Sequence, residues 1–254
     1  TTHIYAEQNR YSRLGTFLTH GGIILGMAAI VWGNTVGFID DTLPVPNGSV
    51  RAVGHGTDIT VLNEGFVEED YPDGRPKDYR SDLVVYDGGV EVKRQTIRVN
   101  NPLEYKGIRF YQSFFGNAVV MRVKDAADDV LLFEDAVASA YRDDRYGKDR
   151  PVGVFTLPDD RTVHVVSIAQ DAPDAILKPW EVFVVAYNTD NGTMIFRETL
   201  SQGEPVEAAG LELTFLREKQ FTGLGVGRNQ GVPFLWFATA LIVLGMCVVL
   251  YFPH

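Results

Sequence analysis

The chain has 254 residues, with 23 basic and 33 acidic side chains and a formal net charge of −10. This balance argues against nucleic acid as a partner, since phosphate contacts need a basic surface, and against docking on anionic lipid headgroups. Its single cysteine, Cys247, excludes an internal disulfide, a Cys-x-x-Cys redox pair and a thiolate metal site made by this chain alone.

Near the start of the chain, Leu14–Ile39 form a run of 26 residues without an acidic or basic side chain. Such a run predicts a transmembrane helix, since about 20 apolar residues span the hydrocarbon core of a bilayer. Arg10 and Arg13 precede the run and Asp40 follows it. The positive-inside rule therefore places segment 1–13 in the cytoplasm and the region after the helix outside.

A histidine, His20, lies inside this predicted helix. At bilayer depth a histidine is costly to bury and is usually retained to bind a metal, carry a proton or contact a partner helix. From the residues alone, His20 is either such a ligand or a hydrogen-bonding group at a helix interface. The opposite face carries four glycines, which predict the close approach of another helix: Gly15, Gly22, Gly26 and Gly33.

Residues 40–228 show the pattern of a β domain. Short apolar segments such as Val84–Tyr86 are separated by turn signals, and Asp87–Gly89 predicts a tight hairpin turn. Frequent strands without helical periodicity predict an antiparallel sandwich or barrel-like domain. His164 alternates with valines on one predicted strand, and we expect it to face solvent.

A second charge-free run closes the chain and predicts another transmembrane helix within residues 229–254. The glycines of Gly223–Gly227 predict a flexible linker into it. The predicted fold is thus a membrane protein whose two transmembrane α-helices, 14–39 and 229–254, flank a mainly antiparallel β extracytoplasmic domain. Because Thr1 is not a natural initiation residue, we interpret the chain as a fragment or a processed product.

The most specific motif of the β region begins at its first asparagine-proline turn. Its conspicuous residues are Asn100, Pro102, Tyr105, Gly107, Tyr111 and Gln112. The first two predict a turn, because proline restricts both itself and the preceding residue. The aromatic residues then predict a strand interrupted at the glycine. Taken by itself the motif indicates a packing hairpin, in which a buried Tyr111 and Gln112 satisfy buried backbone groups.

Signatures of known catalytic sites are not found in the sequence. It contains no Gly-x-Ser-x-Gly, no Walker loop, no Gly-x-Gly-x-x-Gly and no His-Glu-x-x-His. Apart from His20, the histidines are not spaced as a metal pair, and His55, between two glycines, is typical of a turn. The pattern argues against a hydrolase or a dehydrogenase.

The sequence resembles the ResB family, also called CcsB, of cytochrome c biogenesis membrane components. Four segments carry the resemblance: Arg13–Gly21, Pro72–Gly89, Asn100–Gln112 and Gly231–His254. The first and last are similar to the third and fourth membrane helices of that family. The middle two are similar to its extracytoplasmic domain.

The resemblance implies a membrane partner of the ResC/CcsA type, which bears a tryptophan-rich haem motif. Together the two would move haem b across a cell or thylakoid membrane and attach it to apocytochrome c, with a thioredoxin-like thiol reductant as a further partner. His20 matches a histidine regarded in the family as an axial ligand of haem iron. The chain itself would be a non-catalytic subunit.

Two other hypotheses follow from the same residues. The chain is either a membrane-anchored extracytoplasmic β scaffold or sensor in which His20 is structural, or a lyase in its own right. The second of these requires catalytic residues that the sequence does not display.

Overall fold

The computed structural model describes residues 10–147, 149–167 and 177–251, and at residues 10–12 and 76 it describes the backbone only. Most of the predicted cytoplasmic segment 1–13 therefore lies outside the described residues. The described chain divides into two compact units. One holds the terminal segments up to Ile39 and from Gly227, together with Lys106–Ile108. The other holds Asp40–Tyr105 and Arg109–Val226.

Two helices lie at the ends of the described chain, α1 (Arg10–Val36) and α2 (Val232–Tyr251). Both are long and apolar enough to cross a membrane, with mean hydropathies of 1.7 and 2.4 in their most apolar windows. The predicted membrane class, with two apolar helices flanking β sheets, is confirmed. The first helix ends before the predicted boundary at Ile39, because the chain turns at Gly37 and continues as a strand from Phe38.

The glycine face of α1 lies against α2. A Cβ atom at Gly22 would come within 2.8 Å of the carbonyl oxygen of Ala238 and 2.7 Å of Cγ1 of Ile242. At Gly15 it would come within 2.7 Å of the carbonyl oxygen of Gly245. Such distances are too short for a real side chain. The two backbones therefore approach each other closely only because these positions lack one.

We expect Gly22→Leu to weaken the packing of α1 on α2, since the new side chain would overlap the α2 backbone. The neighbouring Gly21 has nothing within 4 Å of an added Cβ, so Gly21→Leu is the matched control. Thermal unfolding of the helical circular dichroism signal in micelles should show a lower midpoint for Gly22→Leu only. Equal midpoints for the two variants would contradict the close packing.

The described strands form three antiparallel sheets. The first has the order β1-β15-β7-β6, with β8 beside β7 and β14 beside β15. Its strands are β1 (Phe38–Pro46), β6 (Leu103–Tyr105), β7 (Ile108–Asp125), β8 (Leu131–Ala138), β14 (Pro205–Ala208) and β15 (Leu211–Arg228). The last strand in the chain thus lies between the first strand and β7.

The second sheet has the order β2-β3-β4-β5. Its strands are β2 (Ser49–Ala52), β3 (Ile59–Asp70), β4 (Pro76–Asp87) and β5 (Val90–Arg98). The predicted hairpin turn is confirmed between β4 and β5, where Gly88 and Gly89 have φ of 57° and 82°. Positive φ at both central residues matches the twist of the flanking strands.

The third sheet has the order β13-β12-β11-β10-β9. Its strands are β9 (Tyr141–Arg142), β10 (Pro151–Thr156), β11 (Arg161–Val166), β12 (Glu181–Asn188) and β13 (Met194–Ser201). A short 3-10 helix, Asp144–Tyr146, lies between β9 and β10. The main apolar core packs residues of this sheet, such as Val163 and Val184, in one cluster with Met121 of β7 and Phe215 of β15.

The predicted flexible linker Gly223–Gly227 is wrong, because this segment is the end of strand β15. Its first glycine makes room for an aromatic ring, since a Cβ atom at Gly223 would overlap the ring of Phe114. In the same way, a glycine of β7 makes room for a ring of β15, since a Cβ atom at Gly116 would lie 2.8 Å from Cε1 of Phe221. The two rings meet edge to face with centroids 5.6 Å apart. Close packing, rather than flexibility, explains these glycines.

Candidate functional site

His20 lies in α1 on the side away from the glycine face, and its side chain is exposed in the described chain. Its Nδ1 atom lies 2.8 Å from the carbonyl oxygen of Thr16, one turn earlier. A carbonyl oxygen can only accept, so Nδ1 carries the proton in this bond. In the neutral imidazole the lone pair is then on Nε2, the nitrogen that points away from the helix backbone.

The side chains beside His20 on α1 are apolar, and they are exposed in the described chain. Residues on the same side of the helix, within roughly 40° of His20, include Ile24, Met27 and Val31, and they are 64%, 56% and 66% exposed. An exposed apolar strip of this kind on a membrane helix faces either lipid or another membrane protein. His20 is therefore presented toward that environment rather than toward α2.

A neutral imidazole with a free Nε2 lone pair is a suitable axial ligand for haem iron. The bond from Nδ1–H to a backbone carbonyl is the support that metal-binding histidines commonly have, since it sets the tautomer and the ring orientation. In the described part of the chain, no group of three or more His, Cys, Asp or Glu side chains could hold a metal ion. His20 thus fits one axial position of a haem.

The Asn100–Gln112 motif forms a turn and a hairpin. Asn100 has a φ of 65°, and Lys106 and Gly107, between β6 and β7, have φ of 47° and 75°. Tyr105 donates a hydrogen bond from its hydroxyl to Asp87 Oδ2 at 3.0 Å. The carbonyl oxygen of Pro102, a residue whose ring restricts the turn, accepts from Gln95 at 3.2 Å. These contacts hold the hairpin against the edge of the second sheet.

The predicted burial of Tyr111 is wrong, because its side chain is 40% exposed. Alternation along β7 instead directs Ile108 and Phe110 inward, and both are buried. Successive strand residues point to opposite faces, so an error of one residue exchanges inside for outside.

Gln112 belongs to the inward set and joins a polar network. Its Oε1 accepts hydrogen bonds from the hydroxyls of Ser81 at 2.6 Å and Thr222 at 2.8 Å. Its Nε2 donates to the carbonyl oxygen of Phe114 at 3.0 Å. Ser81 and Thr222 are fully buried, so the amide links strands β4, β7 and β15. Sequence reasoning missed both hydroxyls, since they are 31 and 110 residues away from Gln112 along the chain.

We expect Gln112→Leu to lower the free energy of unfolding by roughly 1–3 kcal/mol, because it removes the amide oxygen that accepts hydrogen bonds from two buried hydroxyls. Tyr111→Ala, on the exposed side of the same strand, should cost about 0.5 kcal/mol or less. Urea unfolding followed by tyrosine and tryptophan fluorescence would measure both. A larger loss of unfolding free energy in Tyr111→Ala than in Gln112→Leu would contradict the assignment of Gln112 as the stabilising residue of this motif.

His164 is half-buried, so the prediction that it faces solvent is wrong. Its Nδ1 lies 3.0 Å from the hydroxyl of Tyr146, which lies 2.8 Å from the hydroxyl of Tyr187. Arg145 stands over the rings of both tyrosines, with its Cζ 5.7 and 5.8 Å from their centroids, and pairs with Asp143. The 3-10 helix therefore covers this part of the third sheet, which a strand pattern alone does not reveal.

Burial lowers the pKa of His164 below its usual 6.5, and the nearby Arg145 lowers it further, while Asp143 acts in the opposite direction. Burial and the Tyr187 hydroxyl raise the pKa of Tyr146 well above its ordinary value. Both groups are thus held neutral near pH 7. The cluster is a neutral hydrogen-bonded chain bordered by an ion pair.

We expect stability to fall as the pH drops below about 6.5, because the unfolded state, with the ordinary histidine pKa, binds a proton that the folded state does not. The loss should end once the pH is below the lowered pKa of the folded state. His164→Gln should remove this dependence between pH 7 and 5, whereas His55→Asn should retain it. Midpoints of urea unfolding at several pH values provide the measurement, and an unchanged slope in His164→Gln would contradict the assignment.

Taken together, the two terminal apolar helices and the antiparallel sheets between them define a membrane protein with a β domain inserted between two membrane helices. The model of the ResB-like family matches residues 1–254. The chain belongs to this family.

Relatives of known name support the same assignment. The chain is 27% identical over 264 residues to the cytochrome c biogenesis protein CcsB of Synechococcus elongatus, a match that covers 99% of this chain and 54% of the relative. It is 29% identical to CcsB of Thermosynechococcus vestitus, covering 100% of this chain and 56% of the relative. A 40% identical match to CcsB of Synechococcus sp. strain JA-3-3Ab covers 44% of this chain and 25% of the relative. The chain thus spans about half the length of the full-coverage relatives.

Proposed function

We propose that this chain is the part of a cytochrome c biogenesis complex that binds haem at membrane depth and passes it on for delivery to apocytochrome c. The relatives bear the name of cytochrome c biogenesis proteins. The observation that carries the haem role is His20, whose Nδ1 is bonded to the Thr16 carbonyl so that Nε2 is free to bind iron.

In this role the chain supplies binding and orientation rather than bond-making chemistry. His20 fills one axial position, and the other comes from a membrane partner of the ResC/CcsA type. The exposed apolar strip beside His20, which includes Ile24 and Val31, is the surface on which a flat apolar macrocycle and a partner helix would pack. The positive-inside rule orients the β domain to the extracytoplasmic side, where apocytochrome c and a thiol reductant are met.

We expect His20→Gly to lose the haem absorption band of the purified complex by at least tenfold. Added imidazole should restore the band, because it can occupy the vacated axial position. His55→Asn is the matched control, since asparagine tolerates the positive φ of 53° found there. It should keep its haem without imidazole.

Two results would argue against the proposal. One is a haem spectrum in His20→Gly that equals that of the unsubstituted chain. The other is loss of haem in both His20→Gly and His55→Asn, which would indicate disrupted assembly. The first result would favour a β scaffold or sensor in which His20 has a structural role.

A further inference from the structure

A pocket with polar walls opens in the β unit where β7 and β8 approach the edge of the third sheet. Its volume is about 90 Å³. The lining includes Phe114 and Phe221 on the apolar side and Asn117, Ser139, Arg142 and Ser167 on the polar side. Every one of these residues belongs to the same compact unit. The pocket is distinct from His20, which lies in the helical unit.

Two buried serines line this pocket, and only one of their two hydroxyl hydrogens takes part in the hydrogen bond between them. The hydroxyl oxygens of Ser139 and Ser167 lie 2.9 Å apart and share one hydrogen bond. Each hydroxyl brings one hydrogen, and only one of the two lies between the oxygens. Among the described residues the second hydrogen has no acceptor. Because both serines line the pocket, this hydrogen can be donated to an acceptor oxygen of a ligand.

The same pocket is also lined by a cationic side chain, that of Arg142. Arg142 is exposed, and within the described ranges its guanidinium makes no hydrogen bond or ion pair. Most other arginines of the β unit are paired, as Arg145 is with Asp143 and Arg161 with Asp159. A planar guanidinium with five donors is suited to bind the two oxygens of a carboxylate.

From these features we infer that the pocket binds a carboxylate group. The carboxylate oxygens would accept from Arg142 and from the spare serine hydroxyl, while the adjoining methylene groups contact Phe114 and Phe221. A cavity of roughly 150 Å³ holds benzene, so one of about 90 Å³ accepts a short carboxylate arm and not a porphyrin ring. This carboxylate group belongs either to a haem propionate or to an acidic side chain of a polypeptide. Only the haem source rests on the proposed function.

The test uses the full chain in lipid nanodiscs with arginine side chains labelled with nitrogen-15. A His20→Ala background keeps the result independent of haem binding at membrane depth. Sodium propionate is titrated, with propionamide as the neutral control. We expect propionate to shift the Arg142 Nε resonance and propionamide to leave it in place. Arg217, exposed on β15, is the internal reference for general salt effects.

Variants and larger ligands then separate the two sources. Ser167→Ala should weaken propionate binding about tenfold, the usual effect of losing one hydrogen bond to a charged group. A shift with protoporphyrin but not with its dimethyl ester supports the haem propionate. A shift with a glutamate peptide but not with its glutamine analogue supports a polypeptide. Either result sustains the carboxylate site.

Two outcomes overturn the inference. One is an Arg142 resonance that does not move with propionate, or moves no more than that of Arg217. The other is a Ser167→Ala chain that keeps a sharp spectrum and binds propionate as tightly as before.

Discussion

The direct contact between the backbones of α1 and α2 is the constraint on which the membrane half of the molecule depends. Lipid tails are as apolar as leucine, so helices associate there through close packing rather than through the hydrophobic effect. Gly15 and Gly22 permit that packing against Gly245 and Ala238. Because one face of α1 is committed to α2, the opposite face, with His20, is directed outward. The helix pair thereby sets the direction in which the proposed haem ligand faces.

A second set of contacts stabilises the β unit and involves the Asn100–Gln112 motif. Gln112 joins Ser81 and Thr222, while Tyr105 bonds to Asp87. These groups hold strands and a hairpin in place and are separate from the imidazole in α1. The family-like segments thus contain two kinds of residue, those that stabilise the β unit and the histidine that we propose as a haem ligand.

Much of this architecture is predictable from local patterns. The helices follow from the charge-free runs, and the turn at Gly88 follows from residues that permit positive φ. Errors arise where distant contacts decide. Gly223 is indistinguishable from a linker glycine until Phe114 is known to lie over it, and His164 is partly covered by a 3-10 helix almost 20 residues away. Tyr111 is misplaced by one step of strand alternation.

The order of strands in the first sheet has a consequence for how the protein is made. Strand β15 ends at Arg228, yet it lies between β1, which begins at Phe38, and β7. The sheet therefore remains open at its centre until nearly the whole segment between the helices has left the ribosome. During this interval the exposed edges of β1 and β7 are open to mispairing, so the growing chain needs a protection of these edges that its finished fold no longer shows.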